Sequence, residues 1–79
     1  MIRPASDAIS NLSSTYHLTD REVEALKGIA LGLSSKEMAV RMSISPNTVK
    51  SFVRLIMIKM GVTTRAGIVA KLLDMNAGN

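Results

Sequence analysis

Lys50 and Arg54 stand four residues apart in a segment whose apolar residues recur with helical spacing, so they project from one helix face, one turn apart. Both are permanent hydrogen-bond donors. An Arg fork can span O6 and N7 of a guanine in the major groove, and a Lys reaches the same atoms as a point donor. Ser51 adds a hydroxyl that can meet either a donor or an acceptor, and Asn47 lies on the same side. An ordinary solvated basic face has the same composition, so the surroundings decide between the two readings. Catalysis is not one of them: the chain has one His, no Cys, no Gly-rich phosphate loop and no pair of acids in an apolar setting. No enzyme activity, cofactor or metal site is therefore expected. His17 lacks a second ligand, and the six Met residues suit core and interface filling. Tyr16 and Phe52 are too few rings for a single-strand stacking platform.

The elements that must position these side chains are marked by one local pattern used three times: Leu18-Thr19…Val23, Leu33-Ser34…Met38 and Ile44-Ser45…Val49. In each, a hydroxyl at the N-cap accepts from first-turn amides while the flanking apolar pair staples the incoming chain. Glu22 and Glu37 complete capping boxes with Thr19 and Ser34, and Pro46 after Ser45 suits the first helical position. The pattern predicts helices from Asp20 to about Leu31, from about Ser35 to Met42, and from Pro46 to Met60. Gly32 and Gly61 offer left-handed stops. A further helix follows Thr64 and runs to about Met75. The short second helix, the three-residue turn Ser43-Ile44-Ser45 and the long third helix have the layout of a helix-turn-helix, with Ile44 expected to plug its corner.

Buried stripes are expected at Leu26, Ile29, Ala30 and Leu33, at Met38, Ala39 and Met42, and at Val49, Phe52, Val53, Ile56 and Met60. Asn47, Lys50, Ser51 and Arg54 fall on the opposite side of the third helix. Gly28, inside the first, costs roughly 1 kcal/mol relative to Ala and points to a close approach of another backbone. Ile68, Val69, Leu72, Leu73 and Met75 spread over an arc of roughly 160°, wider than one intramolecular contact needs. Part of that helix is expected to meet a second copy, with Ile68, Leu72 and Met75 nearest the axis. Met1 to His17 is Ser/Asn/Ala-rich and reads as a flexible tail or linker holding at most a helical turn near Asp7 to Leu12. The expected organisation is a tail over 1–17, an all-α domain over 18–75 and disorder over 76–79.

Seventy-nine residues, 47% of them hydrophobic, suffice for one small core. The absence of Cys fits a reducing compartment. No apolar run approaches the eighteen or so residues of a membrane span, and the N-terminus lacks signal-peptide features, so no membrane partner is expected and the cytoplasm is the default. The net charge of +4 is unevenly placed. Residues 1–35 hold three cations against four anions, and residues 36–79 hold seven against two. The excess begins at the second expected helix, the footprint of a polyanion-binding face.

Leu18-Thr19-Asp20-Arg21-Glu22-Val23-Glu24, Gly32-Leu33-Ser34-Ser35-Lys36-Glu37-Met38-Ala39, Ile44-Ser45-Pro46-Asn47-Thr48-Val49-Lys50, and then Ile56, Lys59-Met60-Gly61-Val62 and Arg65 agree in order and spacing with a known pattern. From Leu18 to about Leu73 the chain closely resembles the LuxR/FixJ-type (GerE-like) DNA-binding domain. The resemblance implies a four-helix, all-α helix-turn-helix domain, here following an irregular N-terminal tail. It also implies a bacterial transcription regulator or response-regulator output domain that binds double-stranded DNA as a homodimer on two-fold symmetric sites. RNA polymerase is a further candidate partner. By position, Lys50, Ser51 and Arg54 are implied as base contacts, and Asn47 counts with them. Ser34, Lys36, Thr48, Lys59 and Arg65 are implied as phosphate contacts, with capping and phosphate binding jointly served by Ser34 and Thr48. Three positions depart from the family pattern. Phe52 replaces the usual His, and Leu55 and Ile58 replace polar or charged residues. That apolar pair admits two readings, a second protein contact or a reduced affinity for DNA. The alternative function is a helical protein-interaction module of the same fold that binds DNA weakly or not at all.

Overall fold

The computed structural model describes residues 5–76, with side chains over 7–74. Among the described residues there are five helices and no strand: α1 Ala5–Tyr16, α2 Asp20–Ala30, α3 Ser35–Met42, α4 Pro46–Met60 and α5 Arg65–Asn76. The all-α expectation holds, and three helix starts fall where the caps predict them. Thr19 and Ser34 both form complete capping boxes, and Ser45 accepts from the Thr48 amide with Pro46 in the first turn. Gly32 and Gly61 take positive φ at 74° and 70°, which a Gly adopts without a Cβ penalty. Ser43, closing α3, takes the left-handed conformation without that freedom, at φ 57°.

The N-terminal segment departs from the expected tail. Residues expected to form an irregular tail make α1, a helix of 12 residues that packs most extensively on α5 and also on α2. Ala8, Ile9 and Leu12 are buried and Tyr16 packs against the core, an apolar stripe at helical spacing. Ser10, Asn11, Ser13, Ser14 and Thr15 between them are weak helix formers, so local propensity hides the stripe and packing supplies the stability. The helix ends at His17, which has φ 56°, with the Leu18 amide donating to the Ser13 carbonyl at 3.0 Å. Residues 1–4 of the expected tail and 77–79 of the expected disordered end lie outside the described residues.

One core unites all five helices, with Leu12, Leu26, Met38, Val49, Ile56 and Ile68 fully buried. Ile44 is half-buried against it at the helix-turn-helix corner, as expected, while Ala30, expected inward, is exposed. The close neighbour of Gly28 is a side chain rather than a backbone. A Cβ there would collide with the Met38 sulfur. On α5 the wide apolar arc divides in two. Ile68 and Leu72 are buried, at 0% and 7% exposure, whereas Val69 and Leu73 remain exposed. The expected dimer residues Ile68 and Leu72 thus belong to the intramolecular core, and α5 packs most extensively on α1, the helix missing when the N-terminus is read as a tail. The side chain of Met75 lies outside the described residues.

Candidate nucleic-acid interface

The outer face of α4 is set by the burial of the inner one. Val49, Val53, Ile56 and Met60 are buried against α2, α3 and α5, with Phe52 half-buried among them. That register turns Asn47, Lys50, Ser51 and Arg54 outward together, and all four are exposed. Phe52 is half-buried and packs against the core rather than standing with the outward set. Lys50 and Arg54 belong to neither of the ion pairs formed among the described residues. Ser51 donates its hydroxyl proton to the Asn47 carbonyl at 3.2 Å, which leaves its oxygen available as an acceptor.

The hydroxyls at the helix starts are committed to caps. Ser45 Oγ accepts from the Thr48 amide at 3.1 Å and lies 2.8 Å from Thr48 Oγ1. Ser34 Oγ accepts from the Glu37 amide at 3.1 Å, and the Ser34 amide donates to Glu37 Oε1 at 2.9 Å. Those bonds from Ser34 hold the Glu37 carboxyl below its ordinary value. Lys36, in the first turn of α3, is exposed.

Two implied phosphate contacts are engaged elsewhere. Lys59 Nζ donates to Glu22 Oε1 at 2.7 Å and to the His17 carbonyl at 3.3 Å. Glu22 is only 2% exposed and also accepts from the Thr19 amide at 2.8 Å. Burial pushes its carboxyl up, but the Lys59 and Thr19 hydrogen bonds outweigh burial and leave it below the ordinary value. A buried carboxylate needs such a partner, and Lys59 supplies it. Arg65 donates to the Leu33 carbonyl, which brings the start of α5 beside Ser34 at the start of α3.

Sequence reasoning missed the side chains that hold the helix-turn-helix in place. Arg21 donates from Nη2 to the Met42 carbonyl at 2.9 Å and pairs through Nη1 with Glu24, so α2 grips the end of α3. No local pattern marks that bond. The Glu22–Lys59 pair had a legible signal. Glu22 falls in helical register with Ala25, Leu26 and Ile29 and must point inward, where a carboxylate demands a cation.

Charge is sorted accordingly. Of the seven cations in residues 36–79, Lys59 pairs with Glu22, Arg65 binds a carbonyl and Lys71 sits 5.8 Å over the Tyr16 ring. Lys36, Arg41, Lys50 and Arg54 remain exposed and outside the ion pairs, and all four lie on α3 and α4. The two helices of the helix-turn-helix thus carry the free positive charge of this half of the chain. Such a surface can neutralise phosphates and present donors to base edges.

Comparison with known proteins points the same way. Residues 16–72 match the family described as bacterial regulatory proteins, luxR family. The chain is 37% identical, over a 79-position alignment, to the nitrate/nitrite response regulator protein homolog of Haemophilus influenzae, covering 90% of this chain and 38% of that protein. It is 41% identical over 54 residues to the HTH-type transcriptional activator RamA of Corynebacterium glutamicum, covering 68% of this chain and 19% of the relative. With the transcriptional regulatory protein DesR of Bacillus subtilis the identity is 40% over 53 residues, covering 67% and 27%. The chain therefore spans well under half the length of these relatives. No solved structure matches it significantly.

Proposed function

The chain belongs to the luxR family of bacterial regulatory proteins, and from that premise we propose that it binds double-stranded DNA sequence-specifically to regulate transcription, with α4 in the major groove. The observation that carries this reading is the sorting of charge: packing consumes the cations of α5 and the end of α4, and those of α3 and the outer face of α4 stay free. Lys50, Arg54, Ser51 and Asn47 contact bases, with Ser51 as acceptor. Lys36 contacts phosphate, helped by Ser34 at the capped start of α3 and by Thr48 in the first turn of α4, which Ser45 caps. Lys59 and Arg65 act from within, holding α4 to α2 and α5 to the start of α3. The chain pairs on an inverted repeat through the outward stripe of α5, Val69 and Leu73, a revision forced by the burial of Ile68 and Leu72.

An electrophoretic shift with mixed genomic fragments at low salt tests the proposal. A dimer neutralising about six phosphates should give a slope near −5 in log affinity against log salt. No shift at micromolar protein, or a slope near zero, would reject it in favour of the protein-interaction module, which the exposure of Leu55 and Ile58 also fits.

A further inference from the structure

Leu55 and Ile58 lie on the same exposed side of α4 as the base-contacting residues, at 44% and 68% exposure. At about 100° per residue, Ile58 falls about 20° from both Asn47 and Ser51, on the midline of the exposed stripe. Leu55 lies one turn beyond Ser51, and Ile58 one turn beyond Arg54. The stripe is therefore polar over its first two turns and apolar over the next. Its flanking charges are Lys50 and Arg54, and the Pro46–Met60 segment contains no acidic residue.

That combination limits what can cover the patch. A second copy docked there would place the cations flanking both patches at one interface with no carboxylate of α4 to balance them, a like-charge surface. A polyanion with apolar groups in a groove fits both properties at once, and duplex DNA offers such groups in the C5-methyls of thymine. The patch is also continuous with the interface already assigned, so a groove that receives Ser51 and Arg54 meets Leu55 and Ile58 next.

We infer that Leu55 and Ile58 are specificity-determining residues that read thymine methyl groups one to two base pairs beyond the bases met by Lys50 and Arg54. The inference rests on the DNA-binding reading and adds to it an apolar component of recognition. It assigns the departure at these two positions to sequence choice rather than to weakened binding.

The test uses the 79-residue chain and duplexes it selects from a random pool. One thymine per half-site should be enriched beside the step preferred by Lys50 and Arg54. Replacing that thymine with deoxyuridine, which pairs identically but lacks the methyl, should weaken binding by the native chain about fourfold, the effect of one lost methyl contact. Leu55→Ala/Ile58→Ala should bind thymine and deoxyuridine duplexes equally and keep its preference at the neighbouring step. Both positions are exposed and Ala favours helix, so its helical signal should match the native one. Native binding indifferent to the methyl overturns the inference, as does an equal deoxyuridine penalty in the variant. Loss of cooperativity between half-sites alone would identify the patch as a protein contact and overturn it too. Steep salt dependence without a methyl effect would sink this inference and leave the DNA-binding reading standing. Absence of any duplex binding would sink both.

Discussion

Lys50 and Lys59 share one helix yet do different work, and the difference lies in what each meets. Lys50 faces solvent, whereas Lys59 reaches a carboxylate that folding has buried. Because the folded state holds Glu22 below its usual 4.5, the ionised form favours folding. The linked stability is fully present above about pH 4.5 and is lost as pH falls through the folded-state value. Thermal melts from pH 7 to pH 3 should therefore show a falling midpoint below that point, and Glu22→Gln should make the fall shallower. Glu37, lowered by its own cap, accounts for part of what remains. A Glu22→Gln profile parallel to the native one would show that this pair does not govern the acid limb. For DNA, Arg54→Ala and Lys50→Ala should each cost roughly 1–3 kcal/mol on the preferred duplex and relax preference at one step. Lys36→Ala should weaken all duplexes about equally. Titrations on preferred and scrambled duplexes separate the two outcomes, and unchanged sequence ranking in Arg54→Ala would mean a different register for α4.

Helix packing explains choices that propensity alone would not make. Gly28 sits inside α2 at a cost, because the Met38 side chain lies where a Cβ would go and Met38 is itself fully buried. Gly28→Ala would gain roughly 1 kcal/mol in helix propensity but force Met38 out of place. Against an overpacking cost of about 1–3 kcal/mol, the expected net result is a loss of up to about 2 kcal/mol, read from denaturant unfolding. Combined with Met38→Ala, the two effects should be clearly non-additive, since the second change removes the obstacle. Additive effects would mean that Met38 accommodates the methyl elsewhere. The same contact ties α2 to α3, and the Arg21 bond to the Met42 carbonyl ties them again at the other end of α3. The helix-turn-helix is thus presented by α2 acting as its scaffold.

At the scale of the molecule, α1 decides which surface is left for a partner. It is the main packing partner of α5, on which Ile68 and Leu72 lie in the core while Val69 and Leu73 stay outside. Leu72→Glu should then place a charge in the core and abolish cooperative melting. Leu73→Glu, at a position 63% exposed, should leave stability within about 0.5 kcal/mol while reducing cooperative occupancy of half-sites about ten base pairs apart. Circular dichroism melts and binding to one-half-site and two-half-site duplexes check both. Intact folding of Leu72→Glu would return the original dimer face to consideration.

The sequence by itself determined the elements whose signals are local. A capping box, a Pro in the first turn or a Gly stop acts within a few residues, and α2, α3 and α4 begin and end close to where such signals stand. The outward set on α4 was legible for the same reason, since helical periodicity relates Asn47, Lys50, Ser51 and Arg54 without knowledge of any neighbour. Tertiary structure alone decided what depends on residues far apart in the chain. A Ser-rich segment becomes α1 because Ala8, Ile9 and Leu12 join a core shared with α5. The same core takes Ile68 and Leu72 from the expected dimer surface. Lys59 and Arg65, implied as phosphate contacts by position, turn to Glu22 and to the Leu33 carbonyl because folding brings those acceptors within reach, and a buried acceptor left unpaired is costly.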